Sequence, residues 1–310
     1  MRRAIIIILS ALLAVSCLGR SERMKVDIDK ALKKQVDARK LYTEATVIPL
    51  HCPEGTTFGQ EGKVVLEVAE NRFFLLDRNE ILVFNGAGDY VTSITNEEPI
   101  IDISAYRDRV LDVLTAGGIT EYDIKDCSLL ETYPIRDHDV ILTSVARVDD
   151  DSFSMTGYLD GDAYDCGYLV DRAYFYSGAR PAPDYLVSHA YVPAAEVQYS
   201  RFFRCDGFVY NFICKSGWIF RYTNDDFIFP AHQWAFGKRS STFTNAQKTA
   251  DRIFLAFNLD GKDYVLVYNL ENGKYNAVES ETFPLGVIYD GSNYHCRPEG
   301  DGLVIVRYKL

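Results

Sequence analysis

The chain has 310 residues, of which 47% are hydrophobic and 25% are charged, so it is long enough to bury a sizeable core. Its net charge of −11 disfavours nucleic acid as a partner, and no basic stripe in the sequence offsets that charge. Aromatic residues make up 13% of the chain, which favours a β-rich globular protein over a disordered one.

The first sixteen residues have the layout of a secretory signal peptide. Two arginines precede an apolar run, Ala4–Val15, which is shorter than the ~20 residues that a membrane-spanning helix needs. The stretch Ala14–Cys17 (AVSC) resembles a bacterial lipobox, in which the cysteine is acylated and becomes the new N-terminus. We therefore predict a signal peptide over residues 1–16 and lipidation of Cys17, with plain secretion as the alternative.

Residues 17–24 are predicted to form a lipidated tether. Acyl chains contribute about 0.8 kcal/mol per buried methylene, so a multiply acylated cysteine anchors a protein stably to a membrane. The tether carries a single acidic residue, Glu22, and lacks the acidic run of some lipoproteins that reach the cell surface. We expect an envelope protein that faces the periplasm and meets the membrane through its N-terminal lipid. The cell surface is the open alternative.

The predicted elements after the tether are almost all strands. Lys25–Asp29 alternates like a short strand, Lys30–Glu44 is predicted to contain a short helix, and Ala45–Leu50 is a strand whose proline places it at a sheet edge. The clearest unit is Arg72–Ile94 (RFFLLDRNEILVFNGAGDYVTSI). Its three apolar runs are separated by polar or glycine-bearing breaks, as antiparallel hairpins require.

Variants of this unit recur to the C-terminus at intervals of roughly 40–50 residues, the period of four-stranded β-propeller blades. The fifth and the last unit each show three predicted strands. Unit by unit, the predicted strands are Lys63–Val68, Phe73–Asp77, Ile81–Phe84 and Tyr90–Ile94; Ile100–Ala105, Arg109–Leu114, Ile119–Ile124 and Leu129–Ile135; Val140–Val148, Ser152–Tyr158, Tyr168–Asp171 and Ala173–Tyr176; Val197–Cys205, Phe208–Cys214, Trp218–Tyr222 and Phe227–Phe229; Arg252–Asn258, Asp263–Tyr268 and Lys274–Glu279; and Leu285–Tyr289, Tyr294–Arg297 and Leu303–Tyr308.

The final unit is one strand short, and the N-terminus has one strand to spare. If Ala45–Leu50 pairs with Leu303–Tyr308, the first and last parts of the chain share one sheet and the ring closes. We therefore predict that residues 25–310 form an all-β fold, a single β-propeller with six blades of four antiparallel strands, closed by an N-terminal strand. A pair of β-sandwiches is the alternative, although no linker divides the chain near its middle.

Four stretches carry a resemblance to a known family: the lipobox at Ala14–Cys17, the strand Tyr42–Leu50, Phe84–Ile94 (FNGAGDYVTSI) and Gly302–Leu310 (GLVIVRYKL). Together they resemble the six-bladed β-propeller lipoproteins of Gram-negative anaerobes over nearly the whole mature chain. The resemblance implies an extracytoplasmic propeller of largely unassigned function, with no catalytic residues to carry over. Members commonly have a glycine-rich GxGPGEY-like stretch after the first blade, where this chain has Thr95–Pro99 (TNEEP).

Asp160, Asp162 and Asp165 form the densest carboxylate cluster and are candidate metal ligands. Calcium prefers several oxygen ligands on a flexible loop, but an EF-hand requires glycine where Asp165 stands. A solvated acidic turn is therefore the plain interpretation. The five histidines form none of the local pairs that are typical of zinc sites, and we predict no cofactor.

A candidate ligand site lies in the stretch AHQWAFGKR, which is predicted to be a loop. Trp234 stands there beside His232, Lys238 and Arg239. An exposed aromatic ring near polar donors can stack on a sugar or on a peptide side chain. The alternative is that the tryptophan packs between blades.

The mature chain carries six cysteines after Cys17. A two-residue turn at Asp206-Gly207 would set Cys205 opposite Phe208 and leave Cys214 about 20 Å away along the ladder. A disulfide requires Cα atoms within about 7 Å, so we predict that these two cysteines do not bridge.

The sequence lacks a nucleophile elbow, a phosphate-binding loop and a dinucleotide-binding turn. Our first hypothesis is a non-enzymatic binding or scaffold protein for a protein or glycan partner, and an axial channel plugged by apolar side chains would favour it. The alternative is a carbohydrate-active hydrolase or lyase, which requires two carboxylates about 5–10 Å apart at the axial mouth. A third possibility is a structural subunit of an envelope assembly, which predicts a large exposed apolar patch.

Overall fold

The computed structural model describes residues 22–56, 65–135, 140–150, 152–159, 166–171, 183–184, 200–214, 217–222, 228–236, 241–300 and 302–310. The predicted signal peptide and the lipidation site, Cys17, lie outside these ranges. Within them, no helix is both long enough and apolar enough to cross a membrane.

Most of the described chain is β-strand. A short helix, α1, spans Ile28–Lys33, and a 3-10 helix spans Ala38–Lys40. The strands in chain order are β1 (Glu22–Lys25), β2 (Glu44–Pro49), β3 (Val65–Ala69), β4 (Arg72–Asp77), β5 (Glu80–Asn85), β6 (Tyr90–Thr95), β7 (Ile100–Tyr106), β8 (Val110–Thr115), β9 (Gly118–Asp123), β10 (Leu129–Pro134), β11 (Val140–Arg147), β12 (Ser152–Leu159), β13 (Cys166–Asp171), β14 (Pro183–Asp184), β15 (Ser200–Cys205), β16 (Phe208–Ile213), β17 (Trp218–Tyr222), β18 (Ile228–Ala235), β19 (Thr242–Lys248), β20 (Arg252–Leu259), β21 (Lys262–Asn269), β22 (Tyr275–Glu279), β23 (Val287–Tyr289), β24 (Ser292–Glu299) and β25 (Gly302–Lys309).

The described strands form six sheets, numbered here in chain order. Sheets 1, 2, 3 and 5 are the meanders β3–β6, β7–β10, β11–β14 and β19–β22. Sheet 4 contains β15–β18 and β1, and sheet 6 contains β23–β25 and β2. Five sheets therefore have the predicted four strands. The prediction of four antiparallel strands throughout is corrected at sheet 4, where β1 adds a fifth strand parallel to β18.

Apart from β1 and β2, the first strand of each sheet in chain order lies innermost. β3 contacts β7, β7 contacts β11, and the series continues through β15, β19 and β23, which returns to β3. Apolar clusters fill the spaces between neighbouring sheets; Phe74 and Val83 of sheet 1, for example, pack with Val113 of sheet 2. This closed series surrounds an axial channel with the unpaired edges of the innermost strands. The single all-β β-propeller that the sequence predicts is thus confirmed.

β2 closes the ring, as the sequence predicts. It pairs antiparallel with β25, with Ile48 opposite Ile305. The amide of Leu50 donates to the carbonyl of Leu303 at 3.0 Å. Because inward and outward amides alternate along an antiparallel edge strand, the amide of Ile48 also faces β25. Pro49, which has no amide hydrogen, stands in the outward row, where none is needed.

After β2 the chain passes from sheet 6 to sheet 1. The amide of His51 donates to the carbonyl of Gly88 at 2.8 Å. Gly88 has a φ of +91°, and a Cβ at this position would collide with the carbonyl oxygen of Pro49. Glycine is therefore required where the two sheets are joined.

Residues 22–50 form a strap across the outer edges of sheets 4, 5 and 6, between β1 and β2. In its middle, the amide of Asp27 donates to the hydroxyl of Tyr275 at 3.1 Å, and the amide of Val36 donates to the carbonyl of Ala277 at 3.3 Å. The strand predicted over residues 25–29 is wrong, because the carboxylate of Asp27 caps α1 there.

Three other elements differ from the prediction. The innermost strand of sheet 5, β19, escapes the sequence pattern because its buried apolar residues are only Phe243 and Ala246. β18 continues to Ala235 where a loop is predicted, since β17 and β1 pair with it on both sides. Sheet 3 ends with the two-residue strand β14, and the predicted strand Ala173–Tyr176 lies outside the described residues.

Candidate functional site

The axial channel encloses a cavity of about 580 Å³. This volume falls in the range of small-molecule binding sites. Side chains from the innermost strands of all six sheets line it, and they include carboxylates, arginines, amides, hydroxyls and aromatic rings. The wall of the channel is therefore polar as well as apolar, and the described residues do not form the apolar plug that would have favoured a non-enzymatic protein.

Polar side chains of one innermost strand satisfy the backbone of the next. Because these edges have no further strand to pair with, a carboxyl or amide oxygen takes the place of a strand. The same hydrogen bonds fix the polar groups against the channel. The donors and acceptors are the amide of Ala105 to Glu67 (3.4 Å), the amide of Val145 to Asp102 (3.1 Å) and the amide of Ile288 to Gln247 (3.2 Å).

Glu67 is the most perturbed carboxyl of the wall. Its burial and the nearby charge of Asp102 raise its pKa to about 8, against the opposing effects of the Ala105 amide and of Arg204. At neutral pH the Glu67 carboxyl is therefore protonated, so it can donate as well as accept a hydrogen bond. A carboxyl with a raised pKa in a cavity is a recurrent feature of functional sites.

Arg204 crosses the channel from sheet 4 to sheet 2. Its Nε donates to the carbonyl of Ala105 at 3.0 Å, and a terminal nitrogen lies 3.5 Å from the hydroxyl of Ser104. Its guanidinium also lies over the ring of Tyr106, 5.1 Å from the centroid. Burial lowers the pKa of Arg204, and the charge of Glu67 opposes this shift. The side chain is held in place by these contacts and narrows the channel.

A buried ion network supports the wall between sheets 2 and 3. The guanidinium of Arg147 contacts Asp112 at 2.6 Å and also contacts Glu121, and all three side chains are almost completely buried. The ring of Phe153 lies 4.5 Å from this guanidinium. Asp112 and Glu121 already neutralise the charge of Arg147. The network therefore stabilises the wall and presents no charged group to a ligand.

One end of the channel is bridged by hydrogen bonds between turns. The hydroxyl of Tyr289 donates to Asp108 at 2.6 Å, and the amide of Glu70 donates to the same carboxylate at 2.9 Å. These residues end or follow the innermost strands of sheets 6, 2 and 1. Ion pairs link further neighbouring sheets at the same strand ends: Arg107 with Asp150 (3.3 Å) and Lys248 with Asp206 (3.2 Å).

Sheet 6 widens the channel. Its innermost strand, β23, has only three residues, so Tyr294, His295 and Cys296 of β24 line the cavity. Burial lowers the pKa of His295 to about 4, and the charge of Arg297 adds to this effect. The His295 imidazole is therefore neutral at neutral pH.

The ligand residues predicted from the sequence lie elsewhere. Trp234 belongs to β18 rather than to a loop, is 3% exposed, and packs edge-to-face on Tyr268 at 5.3 Å between ring centroids. The expectation of an exposed ring is thus corrected, because β1 covers the edge of β18. His232 is half-buried, and burial lowers its pKa to about 4. Lys238 and Arg239 lie outside the described residues.

The candidate metal ligands Asp160, Asp162 and Asp165 also lie outside the described residues. Within the ranges that the structure covers, no three His, Cys, Asp or Glu side chains are grouped to hold a metal ion. The cysteine prediction is confirmed: Cys205 pairs with Phe208 in the ladder, and Cys205 and Cys214 are both free thiols.

Sequence reasoning missed the residues of the channel wall. Glu67 and Asp102 are single acidic residues inside otherwise apolar runs, VVLEVA and IIDISA. Each stands at the third position of an innermost strand. An isolated acid at the same position of successive repeats is the signal that would have identified them.

No protein-family model matches the chain, and no curated protein matches its sequence. Solved structures match its fold. One is a protein from Bacteroides fragilis NCTC 9343 whose name assigns it to export, with a TM-score of 0.65 and 11% identity over 89% of this chain and 98% of that one. Another is virginiamycin B lyase from Staphylococcus aureus, with a TM-score of 0.50 and 11% identity over 86% of this chain and 99% of that one. At such identities these likenesses show the β-propeller fold alone, and the lipoprotein family stays a resemblance.

Proposed function

We propose that this chain is a lipid-anchored, extracytoplasmic β-propeller of six blades that binds part of a glycan in its axial channel without catalysing a reaction. The observation that carries the proposal is the channel itself, about 580 Å³ in volume and lined by polar groups that neighbouring strands hold in place. The leader, the lipobox at Cys17 and the name of the Bacteroides fragilis neighbour support export.

The channel wall suits a polyhydroxylated ligand. Sugar hydroxyls both donate and accept hydrogen bonds, and so do a protonated Glu67 and the amide of Gln247. Phe202, Tyr264 and Tyr294 add aromatic surface to the same wall, and sugar rings pack against such surfaces. Because turns bridge the end marked by Tyr289, we assign ligand entry to the opposite end, where the innermost strands begin.

A saccharide panel tests the proposal by isothermal titration calorimetry on the mature chain. Thr244 is exposed and lines the channel, so Thr244→Trp should fill the entrance without disturbing the core. Thr132→Trp, on the exposed outer strand of sheet 2, is the matched control. We expect the wild type and the control to bind a member of the panel and Thr244→Trp to lose binding. Unchanged binding by Thr244→Trp, or no binding by the wild type, contradicts the proposal.

Hydrolysis of the glycan is the second candidate function, and the pair Glu67 and Asp102 favours it. A protonated Glu67 has the state that a general acid requires, and Asp102 lies on the next sheet close enough to raise the Glu67 pKa. A hydrolase should release new reducing ends from a bound glycan. In that case Glu67→Gln should reduce the release about 100-fold or more while binding persists. A protein that only binds the glycan should release no reducing ends, either as the wild type or as Glu67→Gln.

A protein partner at the outer rim is the alternative to a glycan. Large apolar side chains are exposed on the outer strands of sheets 6, 1 and 2, namely Val47, Tyr90, Val91, Leu129 and Leu130. Binding of such a protein partner should be equally strong in the wild type and in Thr244→Trp. The roles predicted for Trp234, His232, Lys238 and Arg239, and for Asp160, Asp162 and Asp165, stay predictions.

A further inference from the structure

Arg201 differs from the other charged side chains of the channel wall. Arg204 donates to a carbonyl, Arg107 pairs with Asp150, and Asp102 accepts from a backbone amide. Asp108, Glu67 and Asp263 also have hydrogen-bond partners. Arg201, in the first half of β15, lines the channel and is half-buried, but forms no hydrogen bond or ion pair with any residue that the structure describes.

An unpartnered, half-buried guanidinium favours an anionic ligand. Burial removes part of the water that solvates the charge, and a carboxylate replaces it with two parallel hydrogen bonds. The planar fork of an arginine side chain matches a carboxylate better than the ammonium of a lysine does. A carboxylate is therefore the ligand group that would best satisfy Arg201.

Two other polar side chains of the same wall, Gln247 and His295, are neutral and have hydrogen-bonding atoms without a partner in the described ranges. The oxygen of the Gln247 side chain accepts from Ile288, and its nitrogen makes no hydrogen bond within the described ranges. The His295 ring is neutral and also makes none there. Neutral donors and acceptors of this kind suit hydroxyl groups. The wall therefore matches a ligand that carries one negative charge and several hydroxyl groups.

We infer that the channel selects an acidic saccharide, such as a uronate, whose carboxylate binds Arg201 while its hydroxyls meet Gln247, His295 and Glu67. The inference rests on the proposed glycan binding. A carboxylate fits better than a phosphate, because the second charge of a phosphate would be repelled by Asp102 and Asp108 in the same channel. The net charge of −11 slows the approach of an anion, whereas contact with Arg201 sets the affinity.

Calorimetry on the mature chain tests the inference with glucuronate, glucose and glucose 6-phosphate as probes. The variants are Arg201→Gln and Arg201→Lys, with Arg221→Gln as a matched control, since Arg221 stacks on Phe208 away from the channel. We expect glucuronate to bind about tenfold or more tightly than glucose, and Arg201→Gln to remove this preference. Arg201→Lys should keep part of it, and Arg221→Gln all of it.

The outcomes separate the inference from the proposed function. Equal affinities for glucuronate and glucose, an unchanged preference in Arg201→Gln, or tighter binding of glucose 6-phosphate would overturn the acidic-saccharide inference while glycan binding stands. Failure of all three probes and of the wider neutral panel would overturn both. Raising the salt concentration should weaken glucuronate binding and leave glucose binding unchanged.

Discussion

The inner and outer edges of the sheets satisfy their unpaired backbone groups in different ways. At the inner edge, side chains such as Glu67, Asp102 and Gln247 accept hydrogen bonds from the next strand. At the outer edge of sheets 4 and 6, whole strands of the N-terminal strap do so. A paired strand forms hydrogen bonds with the backbone N–H and C=O groups of an edge. Side chains that bond to such an edge leave other polar groups facing the cavity. The difference places stability at the rim and binding chemistry at the axis.

The strap itself contains a second contrast. β2 supplies the fourth strand of sheet 6, without which the first and last parts of the chain share no sheet. β1 is added to sheet 4, which already has four strands of its own. Disrupting the outer edge of sheet 6 should therefore open the ring, whereas disrupting the outer edge of sheet 4 should loosen only the local packing.

Ile48→Pro should have the largest effect. The amide of Ile48 faces β25, so proline removes a ladder hydrogen bond and should lower the free energy of unfolding by about 3 kcal/mol or more. Val47→Pro is the matched control, since the Val47 amide faces away from β25 and the side chain is 49% exposed. Urea unfolding measures the loss, and amide exchange at Ile305 reports opening of the ring. Equal losses in the two variants would contradict the role assigned to β2.

Met24→Asp should have a smaller and local effect. Met24 is 6% exposed and lies opposite Trp234 in the ladder between β1 and β18. Placing a carboxylate there should lower the free energy of unfolding by about 2–3 kcal/mol, while Lys25→Asp, on the exposed face of β1, should change it little. Amide exchange should rise in β18 and stay unchanged at Ile305. Opening at Ile305 would show that β1 also contributes to closure.

The outer closure could be predicted from the sequence, because strand counting left the last unit one strand short and the N-terminus one strand in excess. β1 could not, since Met24 is its single apolar residue. The inner edge was also missed. Glu67 and Asp102 lie in runs that a sequence pattern assigns to strands, but the pattern does not show which strand of a sheet is innermost.

The candidate ligand residues illustrate the same limit. Trp234 stands between Pro230 and Gly237, two residues that favour a loop, and two neighbouring strands override that local preference. A channel assembled from single residues on six sheets has no local spacing that a motif could capture. Arg201 shows this most clearly, since nothing beside it in the chain distinguishes it from a surface arginine.

Glu67→Gln tests the inner edge through the pH dependence of stability. The raised pKa means that the folded chain holds a proton between about pH 4.5 and 8 that the unfolded chain releases, so stability falls as pH rises through this window. Glutamine mimics the protonated acid and removes the fall. Because Glu67 is only half-buried, we expect a gain of about 1 kcal/mol at pH 8.5, or a rise in Tm of roughly 2–4 °C.

The control for this measurement is Glu97→Gln, an exposed carboxyl outside the channel. Its Tm should follow that of the wild type at every pH, and the difference between wild type and Glu67→Gln should vanish below pH 4.5. Parallel curves for the wild type and Glu67→Gln across the whole range would show that the inner-edge carboxyl is not protonated in the folded chain.

Asp89→Asn should have the smallest effect, at the point where the strap leaves sheet 6 for sheet 1. The Asp89 carboxylate lies 2.9 Å from Nδ1 of His51 and accepts a hydrogen bond from the side-chain Nδ2 of Asn85 at 3.1 Å, and these contacts lower its pKa. A lowered pKa stabilises the fold above the ordinary range of an aspartate, and this contribution is lost as pH falls through the folded value. Both side chains of the His51–Asp89 pair are more than half exposed, so solvent screens their attraction.

We therefore expect Asp89→Asn to melt slightly below the wild type at pH 6 and together with it at pH 3. Asp290→Asn is the control, because Asp290 is an exposed turn aspartate of sheet 6, and its positive φ is a backbone conformation that asparagine tolerates. A loss in Asp89→Asn as large as that in Ile48→Pro would mean that the His51 contact, rather than the β2–β25 ladder, holds the ring closed. A loss that persisted at pH 3 would assign the effect to the turn around Gly88 instead of to the charge.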